Sequence, residues 1–375
     1  MSNGDNPITI EHILNRITTA AKHLFRACRY YYRGDCILAN QSISAKLQQP
    51  VIVYQPHPGI GDLMWHLPFF RAIATNRADG RIVLFTRSST KAKELLVCEP
   101  AITQIHYLPY RRGIARHIRE ITDAWQLIRR LGPRSIWILD KIPRPAIAAK
   151  MANVGERYGF GFGNQKKWLT GPVLNEHLRQ SHQLEKLKAM MIASDIAVPD
   201  TEPCLRLPGE IVDRMASRFA LQPRPWFTLG IGARDAERCW PYEYFNRLIE
   251  KLAYTGGTFF ILGGPGDNEE AKQYIINATD YPHSVNVCPL PMDEAAALIS
   301  LCDMFVGNDS GPMNVAAAVA VPTVGLFGVT PPLGYSRYIR PLCSPRHNRT
   351  MAAITPEQVI SFITKLLDAT PMNHP

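Results

Sequence analysis

Long apolar runs, paired cysteines and a full dinucleotide fingerprint are all missing from this 375-residue sequence. The longest nearly uninterrupted apolar stretch, residues 315–327, carries Pro322 and is shorter than the roughly 20 residues that span a bilayer. No transmembrane helix is expected. The opening residues, MSNGDNPITIEHILN, are polar and acidic before their first apolar positions and do not read as a signal peptide. The 8 cysteines include no C-x-x-C pair, which removes zinc spacing and thioredoxin-like redox chemistry. In a chain with a large core they read as reduced, mostly buried thiols of a cytosolic protein, and only Cys239 has a neighbourhood that looks functional. Gly59-x-Gly61 has Met64 where a third Gly or Ala belongs, so no dinucleotide fingerprint is present. Charged residues make up 20% of the chain and hydrophobic ones 46%, which excludes general disorder. The 30 prolines and 25 glycines are scattered, which excludes collagen-like and low-complexity classes.

What is present is an uneven charge. Residues 1–210 hold 29 Lys and Arg against 17 Asp and Glu, a net +12, whereas residues 211–375 hold 13 against 15, a net −2. One half is therefore suited to an anionic surface, whether nucleic acid, anionic lipid or a phosphorylated substrate. Residues 111–150 are the densest run, with ten basic and three acidic residues among Trp, Ile and Leu at helical spacing. A solvated helix face is the other reading of this run, and no recognisable nucleic-acid module accompanies it. Residues 9–33 predict a basic amphipathic helix, with Ile10, Ile13, Leu14, Ile17, Leu24 and Phe25 on one side. Such a helix lies in a membrane interface or packs on its own protein.

From about residue 50, short apolar strands alternate with helices. Strands are predicted at 51–54, 81–85, 105–108 and 135–139, with helices over 63–76 and 114–131. Residues 195–224 hold most of this region's prolines and read as a linker around a short helix. Strands then recur at 226–231, 258–263, 284–287, 304–307 and 323–327, separated by helices, and Thr355-Pro356 opens a last helix. Near-continuous apolar strands between helices mean parallel sheets covered on both faces. The chain thus divides into a basic extension (1–48) and two doubly wound α/β domains (49–205 and 206–375). Ligands of such sheets bind beyond the carboxyl ends of the strands, here in the cleft between the domains.

Four motifs follow strand ends. In Pro58-Gly59-Ile60-Gly61-Asp62, with His66 one turn along, Asp62 stands at the mouth of a helix. It is either an N-terminal cap or a carboxylate placed as a general base. Residues 230–241 carry Arg234 and Arg238 in a Gly turn that suits a bound phosphate, or else a surface ion-pair loop with Asp235 and Glu237. Asp267, in the turn after strand 258–263, could accept from ribose hydroxyls or simply favour a helix start. The sharpest is Gly307-Asn308-Asp309-Ser310-Gly311-Pro312-Met313-Asn314 before an Ala-rich helix. It would place free N–H groups and a positive helix end at an anion, or serve close packing.

These pieces, in this order, resemble glycosyltransferase family 9, the bacterial lipopolysaccharide heptosyltransferases, over roughly residues 50–368. The matches are Gly61-Asp62 with Leu67-Pro68, Arg234-Asp235 with Trp240-Pro241, and residues 308–313 continuing to Gly325–Gly328. The resemblance implies a GT-B fold, with two Rossmann-like domains facing across a cleft. The acceptor side would be 49–205, with Gly59, Gly61 and His66 in its loop, and the donor side 206–375. It also implies an inverting transfer in which Asp62 is the catalytic base. Arg234, Arg238, Asp267, Asp309, Ser310, Gly311, Pro312, Met313 and Asn314 would bind the donor. One position departs: the family often has His where this chain has Asn314, a neutral amide that brings no positive charge. No metal or cofactor is expected, and the chain has no Asp-x-Asp triplet; the resemblance implies a sugar nucleotide, ADP-heptose, as the co-substrate. The acceptor would be an anionic lipid-linked glycan met at the cytoplasmic face of the inner membrane, with no nucleic-acid partner. Rival classes are a transferase with another sugar nucleotide, an NAD-linked oxidoreductase, and a catalytically inactive membrane-binding scaffold.

Overall fold

The computed structural model describes residues 33–34, 49–109, 115–198, 200–277 and 280–369. The chain splits into two units, one of residues 36–205 and the other of residues 1–35 with 206–375. The expected helix over 9–33 lies outside the described residues except at Arg33. There the helical reading fails, because Arg33–Gly34 is a short strand paired in parallel with Leu207–Pro208.

In the 36–205 unit the strands are β1 (Val51–Tyr54), β2 (Ile82–Thr86), β3 (Ile102–Tyr107), β4 (Ser135–Ile138) and β5 (Glu156–Tyr158). They lie in the order β3-β2-β1-β4-β5, all parallel. Every residue of β1, β2 and β4 is buried, as continuous apolar strands require when helices cover both faces. Helix α1 (Ile60–Arg77) follows β1 and buries Leu63 through Phe70 and Ala72 through Ala74, leaving its ends and Arg71 partly exposed. Helix α2 (Arg116–Leu131) has one buried face, including Ala124 and Ile128, while Arg116, Arg119, Arg129 and Arg130 stay exposed. Gly132, at φ +56°, ends it in the left-handed conformation with its N–H on the Ile128 carbonyl. Helix α3 (Arg144–Met151) and helix α4 (Gln183–Ala193) complete the layers.

The other unit repeats the plan. Helix α5 (Gly209–Arg218) leads to β6 (Trp226–Gly230), α6 (Tyr242–Leu252) and β7 (Thr258–Leu262). Then come β8 (Ser284–Asn286), α7 (Met292–Leu301), β9 (Met304–Asn308), α8 (Gly311–Ala318), β10 (Thr323–Phe327), β11 (Ile339–Cys343) and α9 (Pro356–Ala369). The parallel order is β8-β7-β6-β9-β10-β11, the Rossmann arrangement in which strand order reverses beside the first strand. Those reversals, between β1 and β4 and between β6 and β9, are where ligands of such sheets bind.

Two glycines make the second reversal possible. Gly230 and Gly307 pair in register across β6 and β9. A Cβ on Gly307 would stand 2.5 Å from the Gly230 carbonyl oxygen, and one on Gly230 would stand 2.3 Å from the Phe305 ring. Backbone cannot yield as a flexible side chain does. Gly307→Ala is therefore expected to cost about 1–3 kcal/mol, lowering Tm by roughly 2–12 °C for a unit of this size. Gly155→Ala, where the added carbon meets nothing within 4 Å, is the control. Equal melting temperatures for the two variants in thermal unfolding would refute the steric explanation.

Cys98 is disulfide-bonded, so the expectation of eight reduced thiols fails there. Cys204, Cys239, Cys288, Cys302 and Cys343 are free. Sequence spacing does not show which thiols a fold brings together.

Candidate active site

At the first reversal, β1 runs into a turn that is pinned from the end of β2. Thr86 Oγ1 donates to Gln55 Oε1 at 2.6 Å, Arg87 Nε to the Pro56 carbonyl at 3.4 Å, and Ser89 Oγ to the Pro58 carbonyl at 2.8 Å. Gly59 is the N-cap of α1, and its N–H donates to Asp62 Oδ2 at 3.1 Å. Asp62 thus caps the helix with one oxygen while remaining partly exposed. Gly61 sits inside the first turn of α1 rather than in the loop. His66 also leaves the loop: it is fully buried, and its Nδ1 donates to the Asp62 carbonyl at 2.5 Å. Burial, with the neighbouring His57 charge, pushes His66 down to about 3, against the pull of that carbonyl. His66 is therefore a neutral packing residue.

Two residues that sequence reasoning left out complete this end. His57 Nε2 lies 3.2 Å from Asp140 Oδ2, as an ion-pair contact rather than a well-aligned hydrogen bond. Asp140 follows β4, and its other oxygen accepts the Ile142 N–H at 2.8 Å. Burial pulls His57 down, but the contact and charge of Asp140, the charge of Asp62 and the Leu139 carbonyl outweigh it, leaving the imidazole above its ordinary 6.5. The two histidines therefore act oppositely on stability. The His57 contribution is full below about pH 6.5 and fades as pH rises through its raised folded value. The His66 contribution fades as pH falls from 6.5 toward 3, because only the unfolded chain takes up that proton. A charged residue directly after an apolar strand at the reversal was the available signal for Asp140.

At the second reversal, β9 ends in the turn that opens α8. Asn308 is fully buried; its Nδ2 donates to the Ile231 carbonyl at 2.6 Å and its Oδ1 accepts the Trp240 N–H at 2.9 Å. It ties the 231–240 loop to the end of β9. Within that frame Arg238 lies between two carboxylates, Asp235 at 2.7 Å and Asp309 at 3.4 Å. Thr330 Oγ1 also donates to Asp309, at 2.7 Å. Arg234 is exposed and pairs with no described residue, so the structure does not join it to Arg238.

Ser310 is the N-cap of α8, but its hydroxyl is not used as a cap; Oγ is buried and finds no partner among the described residues. The first-turn N–H groups of Gly311 and Met313 have no intrahelical acceptor, and Pro312 has no N–H to lose there. Met313 points its thioether inward, 2.7 Å from where a Gly325 Cβ would stand. Only its backbone is available to a ligand. Asn314 is 7% exposed; its Nδ2 donates to the Ser310 carbonyl at 2.6 Å and its Oδ1 accepts from the Tyr335 hydroxyl. Asp267 sits over the ends of β6 and β7, where a Cβ on Gly232 would meet its Oδ2 at 2.2 Å, and it accepts the Gly264 N–H at 2.7 Å. Burial, with Asp267 and Asp235 nearby, holds the Cys239 thiol above its ordinary value, so it is not a ready nucleophile. Among the described residues no group of three His, Cys, Asp or Glu is arranged to hold a metal ion. None of their helices is long and apolar enough to cross a membrane.

An arginine beside a helix N-terminus with free first-turn N–H groups, and an unengaged serine hydroxyl at its start, is an arrangement that suits an anion such as a diphosphate. Residues 144–353, more than half of the chain, match the family model described as glycosyltransferase family 9 (heptosyltransferase). The chain belongs to glycosyltransferase family 9. Lipopolysaccharide heptosyltransferase 2 of Escherichia coli (strain K12) is 27% identical over 337 residues, 82% of this chain and 96% of that protein. The crystal structure of a family 9 glycosyltransferase from Veillonella parvula DSM 2008 has a TM-score of 0.72 at 18% identity, covering 86% of this chain and 98% of that one. The structure of E. coli ADP-heptose lipopolysaccharide heptosyltransferase II has a TM-score of 0.70 at 21% identity, covering 85% and 98%. The fold class is GT-B, with two Rossmann-like units. In this family 9 transferase, Asn308, Thr330 and Tyr335 hold the turn of residues 309–314 from behind. The sequence marked the turn and Asn308 beside it, but not Thr330 and Tyr335, which come from a loop further along the chain.

Proposed function

We propose that this glycosyltransferase moves heptose from ADP-heptose to a hydroxyl of a lipopolysaccharide core, inverting the anomeric centre. Arg238 beside the mouth of α8, with the free Ser310 hydroxyl, is the observation that carries it. The names of the similar enzymes, lipopolysaccharide heptosyltransferase 2 and ADP-heptose heptosyltransferase II, support the donor and the acceptor. In the reaction, Asp62 accepts the proton of the acceptor hydroxyl as that oxygen bonds to the anomeric carbon. The bond from that carbon to the β-phosphate oxygen breaks, and ADP leaves. Charge growing on the β-phosphate is met by Arg238 and by the N–H groups of Gly311 and Met313.

Among a panel of sugar nucleotides, ADP-heptose should be the one consumed; preference for a UDP- or GDP-linked sugar would overturn the donor. Because protein cations and amides meet the phosphates, activity is expected to survive EDTA. Full loss restored by Mg²⁺ or Mn²⁺ would overturn this part of the mechanism. The exposed arginines of α2 suit an anionic membrane surface. Binding to anionic vesicles should weaken steeply between about 0.1 M and 1 M salt, as the Debye length falls from ~10 Å to ~3 Å; salt-insensitive binding would point to apolar insertion instead.

A further inference from the structure

The pinned turn after β1 holds a charged pair that the mechanism above leaves idle. His57 is partly exposed and Asp140 nearly buried, their side chains 27% and 14% accessible. Asp140 is fixed from behind: besides the Ile142 N–H, its own carbonyl accepts Gln165 Nε2 at 2.8 Å, and Gln165 is fully buried. The His57 ring stacks on His66 at 5.8 Å and 29°, and His66 in turn holds the Asp62 carbonyl. Asp140, His57, His66 and Asp62 are therefore one contiguous arrangement at the reversal between β1 and β4. We propose that the His57–Asp140 pair is a positioning device for Asp62, holding the turn that carries it and giving its carboxylate a cationic neighbour.

The groups that face this pair support a net cationic role for His57. On α1 they are Asp62 and the neutral His66. At the start of α4 they are His182 and, one turn on, Lys186, which feels the like charge of Lys141 and, more weakly, the opposite charge of Asp140; burial lowers both His182 and Lys186 from their ordinary values. Arg87, from the end of β2, contacts the Pro56 carbonyl next in the chain. Of the two nearby carboxylates, Asp140 has one oxygen on Ile142 and the other on His57. Asp62 accepts the Gly59 N–H and is the second anion acting on His57. Interaction free energy between two sites is reciprocal, so the response of His57 to loss of the Asp62 charge is the readout of this coupling.

The kinetic half of the test rests on Asp62 being the base; the titration half does not. In the full-length protein, the His57 ring followed by NMR should titrate above pH 6.5, and its midpoint should move down in both Asp140→Asn and Asp62→Asn. With ADP-heptose and a truncated lipopolysaccharide core, His57→Gln should lower kcat/KM about 10- to 100-fold, the scale of a misplaced reacting group. It should also erase the alkaline limb of the kcat/KM profile while leaving the ADP Kd unchanged. Asp140→Asn, which keeps the contact to Ile142, should move that limb to lower pH and carries the kinetic arm if His57→Gln does not fold. A His57 midpoint unmoved by Asp62→Asn, or an unchanged pH profile in the His57 and Asp140 variants, overturns the proposal. An active Asp62→Asn enzyme would instead overturn the base assignment, and the titration arm would still decide the coupling.

Discussion

Asp62→Asn should cut turnover by roughly 10²–10⁴, the usual scale for losing a general base, while ADP binding and folding stay near those of the native chain. The structure makes this substitution unusually clean. Asp62 Oδ2 accepts the Gly59 N–H at 3.1 Å, and an Asn side-chain oxygen can accept the same bond. The His66 contact uses the Asp62 backbone, which the substitution does not touch. The cap and the packing beneath it survive, so a fall in kcat isolates the proton-accepting oxygen. Steady-state kinetics beside thermal unfolding would show it. An active Asn variant would return Asp62 to the role of a helix cap, the other reading its sequence position allowed.

Arg238→Ala has the second large expected effect, a loss of about 10- to 100-fold in ADP affinity, the scale of charged hydrogen bonds, with acceptor affinity little changed. Two contributions act in the same direction. The guanidinium that would meet the diphosphate is removed, and Asp235 and Asp309 lose the cation between them at 2.7 and 3.4 Å. The two carboxylates would then repel an incoming diphosphate. Arg238→Lys keeps the charge but not the forked geometry, and should recover part of the loss. Titration calorimetry with ADP is the measurement. Equal losses for donor and acceptor would place Arg238 outside the donor site.

The parallel sheets were legible because their central strands are continuous apolar runs, such as Val51–Tyr54 and Thr323–Phe327, each followed by a Gly turn. The elements that escaped were those without such a run. Glu156–Tyr158 is short and half exposed at one edge of its sheet. Ile339–Cys343 carries Pro341, which cannot donate to a ladder and is tolerated because the strand is an edge. Helix α4 is separated from β5 by two short 3-10 turns, Gly163–Trp168 and Glu176–Gln180, so no apolar strand directly before it marks the alternation.

At the site, the same division holds. Asp62, Arg238 and residues 309–314 sit in turns beside strand ends and could be read locally. His57 with Asp140, and Asn308 with Ile231 and Trp240, are contacts across 83, 77 and 68 positions of chain. Only the order of strands brings them together. His66 and Met313 show the converse, since the motif spacing that singled them out does not say which way a helical side chain points. Both point inward.

The most direct test is a single transfer reaction. The protein is incubated with ADP-heptose and a truncated lipopolysaccharide core, with the product read by mass spectrometry and its new linkage by NMR. The expected result is a core heavier by one heptose, one ADP released per transfer, and an anomeric configuration opposite to that of the donor. Retention of the donor configuration, or transfer only from a different sugar nucleotide, would contradict it.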